Sequence, residues 1–83
     1  MGLLSTNKRK VVDLLFIRQW LNAQINSHKH MIESNKQSVL EYRWNDQERM
    51  AQWCEGRISG YQMALRSFED TLENLERLSR YEK

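Results

Sequence analysis

The chain has 83 residues, 13 Lys and Arg against 11 Asp and Glu, and a formal net charge of +2. A chain this short makes one domain, residues 1–83, with a modest core, so its stability calls for ideal helix packing, a staple or oligomerisation. The single Cys54 excludes an internal disulfide, no apolar run reaches the roughly 18 residues of a membrane span, and the aromatic and aliphatic content is too high for a disordered chain.

Proline is absent and glycine is rare, which favours long helices. Ser5, Thr6 and Asn7 are good N-cap residues, so a first helix is predicted from about residue 6 to about residue 33. Val11, Leu14, Leu21, Ile25 and Ile32 recur along it at helical spacing, with Arg18 and His28 filling the remaining stripe positions. Between Val11 and Leu21 this helix is apolar on more than one face, because Val12, Phe16 and Trp20 follow each other at i, i+4 and i+8. Such a helix is expected at the centre of an oligomer, or else presents those three side chains to another protein.

The stretch Glu33-Ser34-Asn35-Lys36-Gln37-Ser38 is the most polar with turn character. Ser34 followed by Gln37 matches a capping box, which predicts a turn at about 34–36 and a second helix from about 36 to about 81. Along that helix Leu40, Trp44, Gln47, Ala51, Cys54, Ile58, Tyr61, Leu65, Phe68, Leu72 and Leu75 alternate steps of four and three. A mean step of 3.5 keeps one stripe facing a partner helix, as in a coiled coil. Glu73 with Arg77 and Glu76 with Arg80 support it at i,i+4. Two alternatives remain open: one uninterrupted helix, and a break near Gly56–Gly60 that makes a three-helix bundle, with Ser59 and Gln62 as its cap.

The predicted fold is therefore an all-α helical hairpin with a long heptad-patterned second helix. At 1.5 Å per residue the two helices span roughly 42 and 69 Å, so the second overhangs the first. Leu65, Phe68, Leu72, Leu75 and Leu78 would then form a self-association seam, and two copies would pack as an antiparallel bundle or coiled coil, a homodimer.

Function is less legible. The expected reading is a small non-enzymatic protein of regulatory, adaptor or inhibitor type that binds another protein. Val12, Phe16, Trp20 and Trp53 are the candidate contact residues. Lys8-Arg9-Lys10 heads a basic N-terminal helix and is the candidate contact for nucleic acid, a second reading that lacks any recognition motif. A third reading is an assembly segment of a larger complex.

His28 and His30, two residues apart on a helix, point to roughly opposite sides and do not share a metal easily. Cys54 sits on the apolar seam without the electropositive setting of a reactive thiol. No phosphate loop or nucleophile elbow is present, so neither catalysis nor a cofactor is expected. The start Met1-Gly2-Leu3-Leu4-Ser5-Thr6 fits a loose N-acylation pattern that occurs often by chance. With no secretory pattern and a lone cysteine, the expected location is the cytoplasm.

Overall fold

The computed structural model describes the backbone of residues 2–81 and the side chains of residues 13–78. Two helices make up the fold: α1 (Gly2–Trp44) and α2 (Glu48–Tyr81). They pack against each other as an all-α hairpin 67 × 17 × 13 Å in extent.

The turn lies at residues 45–47 and not at 34–36. Helix α1 runs straight through the polar stretch for two reasons. Its seam does not stop at Ile32: Leu21, Ile25, His28, Ile32, Asn35, Val39 and Tyr42 keep the alternating step, and all of them are buried or half-buried. The polar side chains also serve the helix they sit on. Asn35 Nδ2 donates to the Met31 carbonyl at 2.7 Å and Ser38 Oγ to the Ser34 carbonyl at 3.2 Å. Bonds back to residue i−4 let Asn and Ser stay inside a helix where their usual effect is to end one.

What ends α1 is a Schellman motif. The Gln47 amide donates to the Tyr42 carbonyl at 2.7 Å and the Asp46 amide to the Arg43 carbonyl at 3.1 Å. Between those bonds Asp46 takes φ 57°, the left-handed conformation that Asp and Asn tolerate better than other side-chain-bearing residues. Asn45 Nδ2 covers the Glu41 carbonyl at 3.0 Å, and the Gln47 carbonyl accepts the first bond of α2 from the Ala51 amide at 3.1 Å. Arg43 clasps the turn from outside, reaching Glu48 at 3.2 Å and also Glu55. The Glu48 hydrogen bond and the two carboxylate charges hold the Arg43 guanidinium pKa above its usual value, against a smaller desolvation effect.

Moving the turn changes the lengths. Helix α1 has 43 residues and α2 has 34, so the first helix is the longer one. Arg18 bonds Glu76 across the hairpin at 3.1 Å, and this register brings the end of α2 level with about residue 13 of α1. Helix α2 therefore has no overhang. Leu65, Phe68, Leu72 and Leu75 are half-buried against α1 of the same chain, and Leu78 is exposed at the edge.

The seam from Ala51 to Leu75 does face α1, with Ala51 and Cys54 buried and packed on Val39, Tyr42 and Ile58. Its first three positions fall elsewhere. Leu40 and Trp44 belong to α1 and point to solvent, Trp44 at 88% exposure, while Gln47 lies in the turn. Helix α2 is unbroken at Gly56 and Gly60, which excludes the three-helix alternative; a Cβ at either glycine would meet nothing within 4 Å.

Candidate protein-interaction surface

Viewed along its axis, the hairpin has two flanks on either side of the seam where the helices meet. On the first flank α1 contributes Asn22, Asn26, Lys29, Glu33, Lys36, Leu40 and Arg43. Helix α2 adds Glu55, Arg66, Glu69, Glu73 and Glu76 there. Two shallow grooves run along this flank: Lys36, Leu40 and Arg43 face Glu55 in one, and Asn26 and Lys29 face Glu69 and Glu73 in the other. It is a charged, solvated surface.

The second flank differs in chemistry. Heptad position places Ile17, Trp20, Gln24, Ser27, Met31, Ser34 and Ser38 of α1 there. From α2 come Met50, Trp53, Gly60, Ala64, Ser67, Thr71, Asn74 and Leu78. Among the described residues its charged members are Asp13, Glu41 and Arg57 alone. Trp20 is 49% and Trp53 57% exposed, and Ile17, Met50 and Leu78 are also exposed.

Both tryptophans are held in place. The Trp20 ring meets Phe68 edge-on at 5.7 Å between centroids. Phe68 in turn packs on His28 at 5.1 Å, and His28 meets Tyr61 at 5.8 Å. His28 Nδ1 donates to the Gln24 carbonyl at 2.7 Å, so the imidazole is tied into its own helix. At the other end the Arg57 guanidinium lies 4.9 Å from the Trp53 ring centroid, a cation–π distance, and donates to the Tyr61 hydroxyl at 3.0 Å. That bond to Tyr61 is the main reason the Arg57 guanidinium pKa lies above its usual value. Aromatic anchors with fixed rotamers lose little side-chain entropy when a partner covers them.

The residues singled out from the sequence thus do not form one patch. Trp20 and Trp53 share the second flank, at its two ends. Phe16, 67% exposed, points directly away from α2, and Leu15 is exposed beside it. Val12 and the basic cluster Lys8, Arg9 and Lys10 lie outside the described side chains. Sequence reasoning missed the contrast between the two flanks and the exposure of Trp44. The signal was present: an unbroken heptad from Leu21 to Tyr42 followed by Asn45-Asp46, a pair suited to a helix C-cap. Cys54 is buried. Among the described residues no three His, Cys, Asp or Glu side chains are placed to hold a metal, and no helix is long and apolar enough to cross a membrane. Comparison with known proteins gives no match to a family model, to a curated protein or to a solved structure.

Proposed function

We propose that this chain is a non-enzymatic helical module of regulatory, adaptor or inhibitor type, which works through protein–protein contact and associates first with itself. The observation that carries the reading is the second flank, where Ile17, Trp20, Met50 and Trp53 remain in water along a surface poor in charge. Two packed helices bury one seam and leave the rest of each helix exposed. The described side chains with the least exposure are few and lie in a single line, from Leu21 to Val39 on α1 and at Ala51 and Cys54 on α2. Large apolar side chains grouped on an exposed face mark interaction sites in folded proteins.

Light scattering across a wide range of protein concentrations tests the reading. It predicts a molar mass twice that of the 10.1 kDa chain, declining towards the monomer only on dilution. A monomer at every concentration would remove self-association as the first step.

A further inference from the structure

Taking the chain as self-associating, we propose that a second copy covers the charge-poor flank with its turn at the same end, so that α1 of each copy lies on α2 of the other and Arg57 faces the partner's Glu41.

A flank of a molecule 67 × 17 Å offers on the order of 1,000 Å², while a stable interface takes about 800 Å² from each partner. An isologous contact must also be complementary to itself. Two such flanks can meet face to face about either of two axes. An axis across the helices sets α1 on the partner's α1, α2 on the partner's α2, and the turns at opposite ends. An axis parallel to the helices sets α1 on the partner's α2 and keeps every residue at its own level.

Contacts within the hairpin fix those levels. Val39 packs with Ala51 and Cys54, and Arg18 bonds Glu76. Counting along both helices from these contacts places Met31 level with Gly60, Trp20 with Thr71, and Trp53 with Ser38. Under the parallel axis each of these three bulky side chains meets the small residue of the other copy. The space at Gly60, where a Cβ would meet nothing within 4 Å, then lies opposite the partner's Met31.

Charge decides between the axes. Among the described residues, neither Arg57 nor Glu41 has an ion-pair partner in its own chain. With the flanks fully overlapped, the axis across the helices covers Arg57 with the partner's α2 and Glu41 with the partner's α1. Each charge is then desolvated without an opposite one, which is costly. The parallel axis instead sets Arg57 over the partner's α1, about 9 Å along the bundle from Glu41 at 1.5 Å per residue. Helical side chains lean towards the N-terminus of their own helix. The facing helices are antiparallel, so Arg57 and the partner's Glu41 lean towards each other and close that gap. The Arg57 guanidinium lies 4.9 Å from the ring centroid of Trp53, one turn along in that direction. Asp13, the remaining charge of the flank, is exposed at the open end of the hairpin. Complementary charges of this kind fix register and direction more than strength. The result is a four-helix bundle with the charged flanks and Phe16 outside.

Exchanging the charges across the two-fold axis tests face and direction together. Arg57→Glu alone sets a carboxylate against the partner's Glu41, and Glu41→Arg alone sets a guanidinium against the partner's Arg57, twice per dimer in each case. Each variant is expected to raise its own dimer dissociation constant about tenfold or more, with helicity unchanged. Glu41 is exposed, so Glu41→Arg reads out even where loss of the Arg57–Tyr61 bond loosens Arg57→Glu. Mixed in equal amounts, the two variants are expected to pair with each other at close to the native affinity, because both contacts then join opposite charges. Native mass spectrometry identifies the mixed dimer by its mass. Glu33→Arg makes the same charge change on the other flank and is expected to leave the dimer unaffected. A mixture that stays monomeric, or variants that dimerise as the native chain does, overturn the direction. A dimer weakened as much by Glu33→Arg as by Glu41→Arg overturns the face. In these cases self-association still stands, whereas a native chain monomeric at every concentration removes it and the proposal together.

Discussion

Asn35 is a polar side chain on the helix–helix seam, 7% exposed, with buried Ile32 and Val39 one turn to either side. Replacing it with Leu keeps the branched shape at Cγ and exchanges the amide for two methyl groups. Burying a Leu side chain contributes about 2 kcal/mol, and the better helix propensity adds about 0.5 kcal/mol. The change removes the 2.7 Å bond from Asn35 Nδ2 to the Met31 carbonyl, worth about 1 kcal/mol. That carbonyl keeps its backbone partner in the helix, so no buried group is left unsatisfied. Asn35→Leu is expected to stabilise the fold by about 1–1.5 kcal/mol. For a chain of this size that corresponds to a rise in Tm of about 5–10 °C. Thermal unfolding followed by circular dichroism measures it, at one fixed protein concentration because self-association makes Tm depend on concentration. A fall in Tm would refute the reasoning. It would mean that the amide serves a contact outside the two-helix seam, such as a polar pairing that sets register between copies at a cost in stability.

Two further substitutions probe the turn and the course of α2. Asp46 holds φ 57°, which glycine adopts without steric cost, so Asp46→Gly is expected to stabilise by up to about 1 kcal/mol in urea unfolding; a loss of stability would show that the aspartate carboxylate is needed at the turn. Gly56 lies inside α2 with open space where a Cβ would stand, so Gly56→Ala is expected to gain about 1 kcal/mol, visible as a higher urea midpoint at constant slope. A drop in the midpoint would place another surface against that position.

The sequence by itself determined that this chain is helical and that Ala51 to Leu75 lies along one stripe of a helix, while a single fold-back was one of three readings it left open. Those features are local: no proline, few glycines, and a 3.5-residue period that only a helix turns into a stripe. The place of the fold-back was decided by tertiary structure. Ser34 and Gln37 satisfy a capping rule as written, yet Ile32, Asn35 and Val39 together face α2, and burial along a continuous seam outweighs a cap worth about 1 kcal/mol. Leu40 and Trp44 carried the same period as the α2 seam by coincidence of phase, and an alternating step cannot say which helix it belongs to. With the turn displaced to residues 45–47, Trp44 came out into solvent, the predicted α2 overhang vanished, and the contrast between the two flanks emerged. A flank joins residues of both helices, so it exists only once the register between them is set. Packing of Val39 on Ala51 and Cys54 sets that register, and the exposed Arg18–Glu76 pair falls in line with it; no window of consecutive residues contains either contact.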